Sequence, residues 1–261
     1  MAEFKILVTS QKGGVGKSTI SANLAAYLSQ HNHKVALLDY DLHGSSSKWL
    51  NGAPKIGVHI QHSPLPLEIG GGRPVHEAKQ KLKRLCYNNE VVVADLTWTD
   101  SISAEFLFEF DLVIVPTSVS EIELNATAEF LDRLSWVFQS TIYKPPQLLL
   151  CPTRVSHEQM ADDSIFKQYF PVSLMLAPAV LEGHSAKQLY MRGYIHDFND
   201  ACGSSFREFG NAVISVIAQH KQAHMTHTST SNLRMKALLQ MAARYESKMD
   251  SAFVNFFHQN S

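Results

Sequence analysis

Gln11-Lys12-Gly13-Gly14-Val15-Gly16-Lys17-Ser18-Thr19-Ile20-Ser21 is the stretch that decides the fold of this chain. It follows an apolar run, Phe4-Lys5-Ile6-Leu7-Val8-Thr9, patterned as a buried strand, and leads into Ile20–Leu28, patterned as a helix. Strand, glycine loop, Lys-Ser/Thr and helix are the parts of a phosphate cradle. Glycines let backbone N–H groups turn inward around phosphate oxygens where side chains would block them. The helix N-terminus adds unsatisfied N–H donors and the positive end of its dipole. The pattern places Gly13, Gly14, Val15, Gly16, Lys17, Ser18 and Thr19 around a nucleotide. Lys17 reaches the β/γ-phosphates, and the Ser18 hydroxyl sits on Mg²⁺.

The acids that complete such a site stand at the ends of two further apolar runs. Lys34-Val-Ala-Leu-Leu-Asp39 reads as a second strand followed by Tyr40-Asp41, and if the strand continues, alternation puts Asp39 and Asp41 on one face. Asp95 closes Val91-Val92-Val93-Ala94, the place for an acid that holds Mg²⁺ through water.

Lys12 is more than this cradle needs. A lysine at the loop entrance cannot easily fold back onto phosphates that its own loop wraps, so it points outward. With Lys12 and Lys17 bracketing Gly-Gly-Val-Gly, residues 3–222 resemble the ParA/MinD family of deviant Walker ATPases. The resemblance implies that Lys12 crosses a dimer interface to the partner's ATP, acting as a cation delivered in trans. It implies that Asp41 orients the attacking water, that Asp39 and Asp95 support the metal with Ser18, and that Thr153 and Arg154 border the adenine. Pro116 matches a family loop near the nucleotide. The chain departs from the family at Leu42-His43, where the family has Pro-Gln, and at Leu96-Thr97-Trp98-Thr99, where it has small residues and proline.

Alternating strand and helix patterns around these motifs predict an α/β fold, a twisted, mostly parallel sheet with helices on both faces. Helices are expected at Gly44–Leu50, Val75–Cys86, Ile122–Gln139, 155–170, 184–191 and 198–222. Strands are expected at Asp111–Pro116 and Gln147–Cys151, and residues 51–74, broken by prolines and glycines, read as irregular. Domain boundaries fall at an ATPase domain over 1–223, a small polar linker over 224–231 and an amphipathic helix over 232–261 with Leu238, Met241, Tyr245, Met249 and Phe256 in one row.

Composition narrows the class. The 261 residues carry 23 Lys and Arg against 24 Asp and Glu, net charge −1, so no global attraction to polyanions is visible. Three cysteines, Cys86, Cys151 and Cys202, are too few and too widely spaced for a disulfide framework or a zinc site. The start of the chain has no targeting pattern, and no apolar stretch approaches the ~20 residues of a spanning helix. A cytoplasmic, nucleoid-associated protein is expected.

Related nucleotide proteins are separable by residues. The nitrogenase iron protein shares the loop but needs two cluster cysteines at the dimer interface, and no cysteine lies between Asp95 and Cys151. Bacterial tyrosine kinases carry a C-terminal tyrosine cluster, whereas only Tyr245 lies beyond residue 224. Dethiobiotin-synthetase-like ligases share the P-loop but lack a lysine at the position of Lys12, which makes a small-molecule P-loop ligase the lesser alternative. Two subclasses remain. A ParA-type ATPase partitions or positions a plasmid, chromosome or protein cargo, as a homodimer with ATP, on nonspecific DNA, with an adaptor of ParB type. A MinD-type ATPase uses membrane through a C-terminal helix instead. The 184–222 region resembles the ParA type, with Lys187, Arg192, Arg207 and Lys221 as candidate DNA contacts.

Overall fold

The computed structural model of the chain describes residues 3–65, 73–156, 158–159, 168–183, 186 and 188–223. The linker at 224–231, the helix expected over 232–261, most of that expected at 155–170 and Lys187 lie outside the described residues. The chain divides into two units, Met1–Ile214 and Ser215–Ser261, the second described over 215–223, which are helical.

The first unit is built on one parallel sheet. Its strands are β1 (Phe4–Ser10), β2 (Val35–Asp39), β3 (His59–His62), β4 (Val91–Thr97), β5 (Leu112–Thr117), β6 (Gln147–Val155), β7 (Met175–Leu176) and β8 (Val180–Leu181). They lie in the order β3-β2-β4-β1-β5-β6-β7, with β8 pairing further along β6, and every pairing among the described residues is parallel. The chain runs from β1 outward to β2, returns to place β4 between them, then crosses to β5. That reversal opens a crevice at the carboxyl ends of β1 and β4, where open parallel sheets bind ligands.

Helices cover both faces, which explains the nearly unbroken apolar strands. Ile6, Leu7 and Val8 of β1 and Val91–Ala94 of β4 are all buried. Helix α1 (Lys17–Gln30) lies against β1, β2 and β4, and is buried from Ile20 through Leu28. It is buried on its outer side too, because later chain packs over it. Tyr27 donates to Asn211, Ile195 N–H bonds Asn23, and the Tyr27 ring lies where a Cβ on Gly210 would stand at 2.3 Å. Only glycine fits there. On the other face Ala78, Leu82 and Leu85 of α3 (Arg73–Cys86) join Val92, Val113 and Leu148 in a second core layer.

The structure departs from expectation at several elements; β6 runs past Cys151 to Val155, where a helix was expected to begin, and the short strands β7 and β8 carry no sequence signal. Residues 59–62, expected to be irregular, form edge strand β3, paired with β2 alone; an edge strand of His-Ile-Gln-His needs no apolar run. Strand β4 runs past Asp95 to Thr97, which keeps that acid inside the sheet. The helix expected over Ile122–Gln139 is two, α4 (Glu121–Arg133) and α5 (Ser135–Phe138). At the break Leu134 N–H bonds the carbonyl of Leu131, three residues back. That tighter winding brings Leu131, Leu134 and Val137 to one buried face at steps of three residues. Helix α2 (Ser45–Gly52) lies between β2 and β3 in the chain.

Candidate nucleotide site

Loop and helix meet where β1 ends. The Ser10 hydroxyl donates to the Lys12 carbonyl at 2.8 Å, starting the turn. Gly14 and Gly16 adopt φ of 79° and 90°, a left-handed backbone that a side chain would strain, and Gly16 directly precedes α1. Thr153, at the far end of β6, donates its hydroxyl to the Val15 carbonyl at 2.7 Å and so ties the loop to a distant strand. Thr153 therefore borders the loop itself. Arg154 follows with φ of 56°, uncommon for arginine, and its guanidinium pairs with Glu123 of α4 at 3.4 Å.

The two loop lysines have opposite surroundings. Lys12 is exposed. Lys17 is 7% exposed, and its ammonium bonds Asp95 Oδ1 at 3.0 Å and the Asp41 carboxylate. Burial alone would lower its pKa, but the two carboxylates hold it above the ordinary lysine value. The acids themselves shift in opposite directions. Asp95 is wholly buried; that burial, with Asp41 and Asp39 nearby, raises its pKa despite Lys17. Burial also opposes the charge on Asp41, yet Lys17 and Thr97 outweigh it and lower its pKa.

Asp39 and Asp41 do not share a strand face. Strand β2 stops at Asp39, and the chain bends before Asp41. Asp39 turns to the backbone, accepting the N–H groups of Asp41 at 3.1 Å and Ser47 at 2.9 Å. It thus fastens the start of α2 to the Asp41 bend and takes no bond from Lys17. His62 reaches the Asp41 carbonyl from β3 at 2.8 Å.

The donors suit a magnesium ion carried with phosphate. Asp95 Oδ2 is buried with no hydrogen-bond partner among the described residues, and Ser18 stands half-buried in the first turn of α1. Among the described residues no three His, Cys, Asp or Glu gather to hold an ion unaided. Magnesium bound through one or two protein groups plus phosphate oxygens fits that sparse set.

Beside the loop opens a cavity of about 440 Å³, within the range for small-molecule sites. Gly14, Gly16 and Thr19 form one end; Thr153 and Arg154 line it with Val180–Gly183, and Trp49 and Tyr190 wall it. Their two rings meet edge to face at 5.5 Å. Pro116 lies away from this cavity, in a narrow crevice with Gln11 and Lys12.

Sequence reasoning missed several participants. Thr97 donates to both Asp41 oxygens, from N–H at 2.8 Å and from its hydroxyl at 3.0 Å. Its signal was present, two residues beyond Asp95 on one strand face. Arg133, which donates to the Gln11 side chain, and Glu123 come from α4, and nothing local marks them. Of the proposed DNA contacts, Arg192 is exposed, whereas Arg207 spends Nη1 on the carbonyls of His196 and Phe198. Lys221 belongs to the second unit.

Residues 2–75 match a family described as ParA, NUBPL iron-transfer P-loop NTPase. The matched stretch carries the glycine loop, and the fold is similar to that of apo McdA from Cyanothece. Over 55 residues the chain is 56% identical to a cytosolic Fe–S cluster assembly factor NUBP2 homologue of Dictyostelium discoideum, a stretch that spans 21% of each protein. Over 202 residues it is 27% identical to the maintenance of carboxysome distribution protein A of Halothiobacillus neapolitanus, covering 73% of this chain and 89% of that one. The ATP complex of a point variant of McdA from Cyanothece superposes with a TM-score of 0.66 at 18% identity, over 82% of this chain and 97% of that one.

Proposed function

We propose that this chain is an ATP-hydrolysing, ATP-dimerised positioning protein of the ParA type. The observation that carries the reading is the division of labour between the loop lysines, Lys17 buried between Asp95 and Asp41, Lys12 exposed at the entrance. A cation that its own site does not use is available to a second nucleotide. The similarity to a carboxysome-distribution protein along most of the chain supports cargo positioning.

In this reading the loop N–H groups and Lys17 take the phosphates, and the base occupies the cavity toward Tyr190. Ser18 and Asp95 hold Mg²⁺, which supplies charge neutralisation at the β- and γ-phosphates. Lys17 exchanges its carboxylates for phosphate oxygens, and Asp41, freed of that cation, orients the attacking water. Asp39 acts indirectly, by fixing the Asp41 bend. Lys12 of a second copy stabilises the charge developing on the transferred phosphoryl group. Residues 1–223 carry this machinery. Nonspecific DNA is the track, an adaptor stimulates turnover, and the protein lies on the nucleoid.

The iron-transfer part of the family description does not extend to this chain's chemistry. Residues 2–75, the matched stretch, hold no cysteine. All three cysteines, Cys86, Cys151 and Cys202, are buried and lie far apart in the chain, unlike the grouped thiolates that hold clusters.

Light scattering and DNA retardation test the proposal together. With ATP, and not ADP, the protein dimerises and retards DNA of any sequence, binding that weakens steeply with salt. Lys12→Ala binds ATP but stays monomeric, and Arg192→Glu dimerises but loses DNA. A Lys12→Ala protein that dimerises normally overturns the trans-lysine role. Binding to anionic vesicles with no DNA shift at low salt overturns the choice of track.

A further inference from the structure

Two residues of β4 divide the charged centre between them. Strand alternation puts Asp95 and Thr97 on the same face, with Leu96 turned into the opposite core. Asp95 holds Lys17 at 3.0 Å, while Thr97 holds the carboxylate on the other side of that ammonium. The contact is complementary: Oδ1 of Asp41 accepts the Thr97 N–H, and Oδ2 accepts the Thr97 hydroxyl and Lys17. A carboxylate offers about four acceptor sites, so this arrangement leaves Oδ1 able to take one more donor. The side chain of Asp41 is 19% exposed, so part of it is open to water.

Thr97 itself is firmly placed. It stands opposite Ser10 of β1, and the next residue, Trp98, donates its N–H to the Ser10 carbonyl at 3.0 Å. The Trp98 ring is buried beside Phe130 of α4, their centroids 6.2 Å apart. The donor pair is therefore anchored to the sheet on one side and to α4 on the other. Asp41, by contrast, sits on a bend outside any strand. Few residue types could serve at position 97. Valine lacks the hydroxyl, and proline lacks the N–H as well.

We propose that Thr97 is the positioning residue for Asp41, holding the carboxylate so that one oxygen stays turned to the attacking water when Lys17 leaves for the phosphates. The inference rests on the reading of Asp41 as the acid that orients water. Without the hydroxyl, Oδ2 loses its only neutral donor among the described contacts once Lys17 departs, and the carboxylate rotates about the remaining N–H bond. Rotation disturbs the hydrolytic step and leaves the phosphate cradle untouched.

Single-turnover hydrolysis of bound ATP, beside equilibrium binding of a non-hydrolysable analogue, tests this in the full chain. Thr97→Val, equal in shape, is expected to slow hydrolysis about tenfold while analogue affinity stays within twofold. Thr97→Ser, which keeps both donors, is expected to restore the rate to within twofold of wild type. In an Asp41→Asn background, Thr97→Val should slow hydrolysis no further. Wild-type rates in Thr97→Val with a slow Asp41→Asn overturn the role of Thr97 and leave that of Asp41 standing. Wild-type rates in Asp41→Asn overturn both. A Thr97→Ser protein as slow as Thr97→Val overturns the hydroxyl's part, since the methyl group would then be what matters.

Discussion

At the scale of single residues, Lys17 is the group on which the site turns. Its ammonium neutralises two carboxylates inside the protein, one of them wholly buried. In the proposed nucleotide complex the same cation is the principal charge for the β- and γ-phosphates. Lys17→Ala is expected to weaken ATP binding at least a hundredfold, about 3 kcal/mol, measured by titration with a fluorescent analogue alongside a thermal melt. Affinity within threefold of wild type would remove the nucleotide assignment of the loop. Lys12→Ala should still bind the analogue in the same titration, because Lys12 is exposed at the loop entrance.

At the scale of elements, the link between β2 and α2 makes a stability prediction. Asp39 is fully buried and accepts two backbone N–H groups, one in the Asp41 bend and one in the first turn of α2. An acid at a helix start is favoured by the unsatisfied N–H donors there. Asp39→Ala strands both donors in the interior and is expected to cost about 2–4 kcal/mol, judged from hydrogen bonds to charged groups. Urea unfolding followed by circular dichroism measures it, and a loss below about 0.5 kcal/mol would mean water replaces the carboxylate. Element boundaries also explain what local patterns overlooked. Strand β3 has no apolar run because only one of its edges is paired, and α4 ends where Leu134 must turn into the core.

At the scale of the whole molecule, acid sensitivity follows from one histidine. His196 packs among Tyr27, Tyr194 and Phe206, with Nε2 against Gln30 at 2.7 Å and Nδ1 buried without a partner. Burial lowers its pKa to about 4; Asp197 opposes that shift, and His31 and Arg207 reinforce it. A histidine whose folded pKa lies below its unfolded value of about 6.5 stays neutral when folded while the unfolded chain takes up a proton. Stability is therefore full above pH ~6.5 and falls toward pH ~4, by up to about 3 kcal/mol. Thermal melts of wild type and His196→Phe across that range check it; the variant should lose much of the slope. Equal slopes in the two proteins would assign the acid sensitivity to other groups.

The glycine loop, the parallel α/β class and the acids Asp39 and Asp95 in their apolar runs were all legible in sequence. Each is set by short-range chemistry: glycines where φ is positive, apolar runs where both faces are covered, and lysine and serine at a helix start. Other features were settled by packing between residues far apart in the chain. Asp39 and Asp41, two residues apart, part company because β2 ends between them and α2 claims the first. Thr97 became the partner of Asp41 only when β4 was inserted beside β2, 56 positions away in sequence. Thr153 joined the loop across 138 positions, and Arg207 closed on a neighbouring turn where sequence had offered it to DNA. Local patterns specify which backbone a segment can adopt. Which side chains meet is decided by the order of strands in the sheet, and that order depends on burying both faces at once.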